Sequence, residues 1–192
     1  MSTRRERERA DVRARIVAAA LNVLEAEGSA ALTVRRVAAE VEYTAPVVYQ
    51  HFDGKDGLIL VLVEQGYRRL RGEMAAAIDA PGPAGERILR GADAYLRFAG
   101  EHPHLYQAMN NTLLDPAARQ RSATPVTELV YGLLAGWAAE NETPLDLGEG
   151  CEMLWGTLHG MASLGHLGTI GPDRARHLGD RAVRAILTAW RG

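Results

Sequence analysis

The sequence predicts an all-α fold in two parts, a short N-terminal three-helix unit containing a helix-turn-helix and a longer helical domain after it. Three observations lead there. Apolar residues recur at helical spacing along most of the chain, no stretch of useful length alternates with the two-residue period of a strand, and Thr, Asp, Gly and Pro fall where helices start and stop. With 192 residues the chain has length enough for one or two domains and a sizeable core.

In order, residues 11–27 place Val12, Ile16, Ala19, Ala20, Val23 and Leu24 on one face, and Gly28 ends that helix. The stretch 33–58, TVRRVAAEVEYTAPVVYQHFDGKDGL, carries the most information. Thr33 caps a helix in which Val34, Val37, Ala38 and Val41 recur at helical spacing, until Glu42 and Tyr43 break the pattern. Thr44 caps a second helix from Ala45 to about Phe52, with Pro46 tolerated in its first turn, where amides lack intrahelical partners. Two short helices joined by a tight turn make a helix-turn-helix, which the first helix covers. Glu42 occupies that turn, where a positive φ is costly for any residue other than Gly. Asp53 and Asp56 stand at capping-box spacing before a long helix beginning near Lys55. Its stripe of Ile59, Leu62, Val63, Gly66, Tyr67, Leu70, Met74 and Ile78 runs to the break at Pro81-Gly82-Pro83.

Beyond the break, Ile88, Ala92, Tyr95, Leu96 and Ala99 mark a helix, Pro103 opens a short one, and Asp115-Pro116 starts a brief segment. Thr124-Pro125 begins a helix with Val126, Val130, Leu133, Leu134 and Trp137 in register. Asp146 and Glu149 form another capping box for a helix running to about Gly168. Gly171-Pro172 separates it from a last helix with Leu178, Ala182, Ile186 and Ala189 inward. The expected division is therefore 1–54 for the helix-turn-helix domain and 55–192 for the rest, with the long helix shared.

Composition narrows the class. Apolar residues at 47% and charged residues at 24% are ordinary for a globular protein, and a net charge of −2 argues against one that coats nucleic acid. The distribution is uneven: residues 1–55 hold nine Lys/Arg against eight Asp/Glu, and the first fifteen alone carry six Arg against three acids. Before a helix-turn-helix, such a basic arm is expected along phosphates; a solvated terminus is the alternative. The single Cys151 excludes an internal disulfide, no N-terminal apolar run resembles a signal peptide, and runs such as 58–63 fall far short of the ~20 residues of a membrane span. The expectation is a cytoplasmic protein without a membrane partner.

Thr33-Val34-Arg35, Val37-Ala38, Val48-Tyr49, Phe52, Lys55 and Leu58 match, in order and spacing, the DNA-binding half of the TetR family of bacterial transcriptional regulators, and the chain resembles that family over roughly residues 11–60. The family usually has Gly where this turn has Glu42, and polar residues where this recognition helix has Ala45, Pro46 and Val47. A second resemblance, on Trp155-Gly156-Thr157-Leu158-His159-Gly160 and on His102-Pro103-His104-Leu105-Tyr106, is to a C-terminal domain type named for its Trp, His and Gly. Together they imply a homodimer that binds operator DNA and a small effector, most simply a repressor. The alternative is a DNA-binding regulator with no small-molecule effector, controlled by abundance or a protein partner.

The expected DNA-facing residues are Thr33, Arg35, Thr44, Ala45, Pro46, Val47, Tyr49, Gln50, His51 and Lys55. Ala45, Pro46 and Val47 bring no donors, so they can touch thymine methyls but cannot form the bidentate bonds that usually discriminate bases. Hydrogen-bonding readout then falls to Arg35 and Gln50, with Tyr49. By resemblance Tyr49 and Lys55 contact phosphate, and Lys55 also stands where helix N-terminal amides hold an anion. The alternatives are a solvated surface charge for Arg35 and packing against the first helix for Tyr49 and His51.

For a ligand, Tyr95, Phe98, Tyr106, Met109, Trp137, Trp155 and His159, with Met161, are large, amphipathic or adaptable side chains on helices that must pack together; a ligand cavity and an aromatic core both explain them. Six histidines raise the question of a metal, but His159 and His166 lie two turns apart and no HExxH or zinc spacing occurs, so no metal or cofactor is expected. No P-loop, GxSxG or GxGxxG pattern stands in a strand-to-helix setting, so no enzyme is expected. Gly156, Gly160, Gly165 and Gly168 weaken the penultimate helix by ~1 kcal/mol each relative to Ala. Close approach of another helix compensates such a loss, and the family's arrangement is a four-helix bundle from the last two helices of each subunit.

Overall fold

The computed structural model describes residues 3–110 and 115–192, and every regular element among them is helical. The order is α1 (Arg4–Glu27), α2 (Val34–Glu40), α3 (Ala45–Tyr49), α4 (Gly54–Asp79), α5 (Ala84–Glu101), α6 (Pro103–Met109), α7 (Pro116–Glu140), α8 (Leu147–His166) and α9 (Pro172–Ala189). They form two compact units: Met1–Gly66 with His104–Ser122, and Tyr67–Pro103 with Ala123–Gly192. Packing thus divides the chain inside α4 and α7, beyond position 54, and places most of α6 with the N-terminal unit.

In the N-terminal unit α1 begins earlier than its apolar stripe. Thr3 and Glu6 form a reciprocal capping box and Arg4 pairs with Glu8 at 2.7 Å, so the charged stretch is helical from Arg4 onward. The apolar face buries Ile16, Val17, Ala20, Val23 and Leu24. Gly28, at φ +80°, turns the chain and its N–H reaches the Leu24 carbonyl at 2.9 Å. Thr33 caps α2 through the Arg36 amide as expected, whereas Thr44 makes no side-chain cap and α3 closes at Tyr49 with Gln50 as its C-cap. Glu42 takes φ +57°, the left-handed turn that Gly would occupy without strain. Val48 of α3 is fully buried, as are Phe52 just after it and Val37, Leu58 and Leu62 of the neighbouring helices.

α6 is tied to this unit at two places. The His104 Nδ1 lies 2.9 Å from the Glu25 carbonyl; a carbonyl only accepts, so Nδ1 carries the hydrogen and satisfies an orphan acceptor at the end of α1. A Cβ on Gly66 of α4 would stand 2.6 Å from the Met109 Sδ, so a larger residue there forces the Met109 side chain of α6 to shift.

In the C-terminal unit α5 lies against both α8 and α9 and buries ten residues, including Ile88, Tyr95 and Phe98. Gly179 lets α9 close on α5: a Cβ there would run into Leu96. α7 is one helix of 25 residues rather than a brief segment and a second helix. Pro125 inside it removes the donor that would bond the Arg121 carbonyl, yet the helix continues through it. Asp146 caps α8 through the Gly148 and Glu149 amides, and Pro172 occupies the first turn of α9.

Candidate nucleic-acid interface and apolar cavity

The exposed edge of α2 and α3 gathers the residues that the sequence selects. Thr33, Arg35, Thr44, Pro46, Tyr49 and Gln50 are exposed, Tyr49 at 60%, while Ala45, Val47, His51 and Lys55 are half-buried. Two adjacent arginines divide the labour. Arg36 forks between Glu27 at 3.1 Å and Glu40 at 2.6 Å, and its guanidinium pKa is raised, first by the hydrogen bond to Glu27. Arg35 is exposed and joins no ion pair among the described residues.

The basic N-terminal stretch is spent differently from a free arm. Arg9 donates to the Gln50 carbonyl at 3.2 Å, Arg13 lies over the Phe52 ring at 5.0 Å, and Arg15 donates to the Tyr43 hydroxyl at 2.9 Å while covering that ring. These three brace the turn and the end of α3 from α1, an arrangement with no short-range sequence signal. His51 sits among them. Burial, then Arg9 and Arg13, pushes its pKa below the usual histidine value, which favours the neutral ring. Lys55 Nζ donates to the Ser29 carbonyl at 2.7 Å, so it ties the loop after α1 to the start of α4. An ammonium has three hydrogens, and this bond uses one.

The C-terminal unit contains a cavity of about 90 Å³ lined by α4, α5, α7 and α8, with Met74, Ile88, Tyr95, Leu133, Leu134 and Leu158 among its walls. Its polar edge is limited to groups such as the Thr127 hydroxyl and the Cys151 thiol, whose pKa is raised by burial and then by Glu152. Of the aromatic and sulfur residues read from the sequence, Tyr95 and Trp155 line it. His159 stacks on Trp155 with ring centroids 5.6 Å apart, and burial lowers its pKa. Phe98 and Trp137 are fully buried core and do not line it, and Tyr106 and Met109 belong to the N-terminal unit. Aliphatic side chains of α7 make much of the wall, and a search for aromatics passes over them. Among the described residues no helix is long and apolar enough to cross a membrane.

Comparison with known proteins agrees with both halves. Residues 16–62 match the description "Bacterial regulatory proteins, tetR family" and residues 88–189 match "Tetracyclin repressor-like, C-terminal domain". The second description does not name the Trp-His-Gly type. A transcriptional regulator of the TetR/AcrR family from Thermobifida fusca superposes with a TM-score of 0.68 at 21% identity, covering 90% of this chain and 96% of that one. The fatty acid degradation regulator FadR from Bacillus halodurans gives 0.77 at 16% identity, over 91% and 94%. FadR from Bacillus subtilis, solved in complex with stearoyl-CoA, gives 0.77 at 15% identity, over 91% and 97%. At these identities the structures establish a shared fold. The chain belongs to the TetR family, and is a DNA-binding transcriptional regulator.

Proposed function

We propose that this regulator works in the cytoplasm as a homodimeric repressor whose operator affinity is set by a small apolar effector. The N-terminal residues to 54 serve DNA and the remainder serves effector and partner. Thr33, Arg35, Thr44, Tyr49, Gln50 and Lys55 face the DNA, with Ala45, Pro46 and Val47 against base edges and His51 beside them. Arg35 and Gln50 supply the directional readout, and Tyr49 and Lys55 hold phosphate.

The observation that carries the switch is α4 itself. Met74, near one end, lines the cavity, and Lys55, at the other, holds the Ser29 loop of the helix-turn-helix unit. An effector among Tyr95, Leu134, Trp155 and Leu158, with His159 behind Trp155, favours one tilt of α4. Tilt alters the separation of the two recognition helices, which must match one DNA turn of ~34–36 Å or a multiple of it.

Dimerisation belongs to the outer face of α8. Met153, Gly156, Gly160, Leu164 and Leu167 fall on one stripe, Leu167 is 74% exposed, and a Cβ on Gly156 or Gly160 would meet nothing within 4 Å. A second copy laid against that stripe, with α9 beside it, covers it.

A reading without an effector draws on the cavity's size. About 90 Å³ is smaller than the ~300–1,000 Å³ of common ligand pockets, so a large ligand requires α7 or α8 to move. Titration of a candidate effector with and without operator separates the two. Coupling of ~1–3 kcal/mol lowers operator affinity ~5- to ~150-fold and, by reciprocity, weakens effector binding by the same factor. Equal effector affinity in both titrations leaves a DNA binder that the cavity does not control.

A further inference from the structure

The walls of the C-terminal cavity select among ligands by charge. Among the described residues that line it none is charged, and the side-chain heteroatoms on it belong to Met74, Tyr95, Thr127, Cys151 and Trp155. The Thr127 hydroxyl already donates its hydrogen to the Ala123 carbonyl, at 3.4 Å. The charge that acts on the Cys151 thiol is that of Glu152, which is negative. A carboxylate or phosphate brought here would leave its water for apolar walls, with a like charge nearby and no cation among the lining residues. A cation fares little better, because Glu152 is exposed and its attraction is screened by solvent.

Size sets a second limit. About 90 Å³ exceeds the ~30 Å³ that a water takes up in the liquid and falls short of the ~150 Å³ of an engineered apolar cavity that binds benzene. A buried water needs about two to four polar partners, which walls of Ile88, Leu133, Leu134 and Leu158 do not provide. An apolar occupant needs none. Met74, unbranched and adaptable, lines the cavity from α4 and gives the play that a single ring requires. A second fused ring requires the helices themselves to separate.

We propose that the effector is a neutral, compact, hydrocarbon-like molecule no larger than a single benzene-sized ring, and that anions and cations of similar size are turned away. This ligand class rests on the reading of the cavity as the effector site given above.

The test uses the full chain and four probes in calorimetric titration: benzene, isobutyrate, isobutylamine, which is protonated at neutral pH, and naphthalene. Isobutyrate matches benzene in its number of non-hydrogen atoms, so the pair isolates charge. Benzene should bind at least ~100-fold more tightly than either ion. Apolar area alone would make naphthalene the tighter of the two hydrocarbons, and the size of the cavity should reverse that order.

Two further measurements fix the location. Cys151 is the single cysteine of the chain and lines the cavity, so saturating benzene should slow its alkylation by iodoacetamide several-fold. Gly91 also lines the cavity, and a Cβ on it would stand 3.4 Å from Ile78, 3.7 Å from Leu133 and 3.8 Å from the Met74 Cε, ordinary contact distances that keep the fold. Gly91→Ala should therefore weaken benzene about tenfold by taking up room, while Leu158→Ala, which adds room, should admit naphthalene. Absence of benzene binding, an ion that binds as well as benzene, naphthalene binding more tightly to the unmutated protein, or benzene binding that neither Gly91→Ala nor Cys151 alkylation registers overturns the ligand class. Benzene that meets all these expectations but leaves operator affinity unchanged at saturation upholds the ligand class and overturns the cavity's control of DNA binding.

Discussion

The N-terminal unit turns its apolar residues inward and shows the solvent hydroxyls and guanidinium groups, whereas the C-terminal unit leaves apolar surface uncovered on α8 and empty space between α5 and α7. The contrast is sharpest between α3 and α8. α3 is short, with Val48 wholly buried, and the residues that follow it, Gln50 and Phe52, are held by Arg9 and Arg13 of α1. α8 buries only four residues of twenty, while Met153, Trp155 and Leu164 stand in solvent. A surface of charge and hydroxyl suits a phosphate-rich partner whose contacts are polar and wet. An apolar stripe with glycines suits a second protein surface at close range. The two units differ in the chemistry of the surface they leave exposed.

The strongest way to break that contrast is to charge the stripe. Gly160→Arg or Leu164→Arg should cost dimerisation about 3–5 kcal/mol, the scale of an unpaired charge held out of water, and operator affinity should fall with it. Sedimentation velocity reads this directly, and an unmutated protein that is monomeric at micromolar concentration removes the argument. Next in size is the DNA face. Arg35→Ala should lose ~1–3 kcal/mol at the operator and relax discrimination at one base pair, while Lys55→Ala should weaken all sequences together and flatten the salt dependence. Anisotropy titrations on operator and random duplexes distinguish them; equal losses on both for Arg35→Ala make it a phosphate contact.

A third measurement sharpens the contrast by pH. Burial lowers the His159 pKa below the usual histidine value of 6.5, so the folded state binds fewer protons than the unfolded chain as the solution is acidified. Stability is full above 6.5 and falls as the pH drops from there through the lower folded value. Chemical denaturation at pH 8 and at mildly acid pH should show His159→Gln losing part of that slope; an unchanged slope assigns it to other groups. Smallest is Glu42→Gly. Relief of a left-handed φ, set against the added freedom of Gly when unfolded, should stabilise the N-terminal unit by up to about 1 kcal/mol, read as a rise in melting temperature.

Much of this was legible in the residues. Periodicity and caps place the helices, and Thr33, Glu42 and Asp146 behave as their positions imply. What escaped depends on contacts distant in sequence. Arg9 and Arg13 read as a basic arm because nothing local ties them to Gln50 and Phe52. Tyr106 and Met109 read as ligand contacts by residue type, but the Gly66 gap draws α6 onto α4 in the N-terminal unit. Pro125 read as a helix start because its ring cannot donate, and the intact α7 shows that one lost bond is tolerated there. The cavity walls are aliphatic, and periodicity gives the same pattern for a packed core as for a hollow one.

Two helices, α4 and α7, begin in one compact unit and end in the other. Amide exchange follows cooperative units more than secondary structure. Along α4, the amides as far as Gly66 should therefore share the opening free energy of the helix-turn-helix and α6, while those from Tyr67 follow α5 and α9. A single continuous helix would then carry a step in protection near its middle, at the glycine where α6 crosses it, and the height of that step is the difference in stability between the two halves of the molecule.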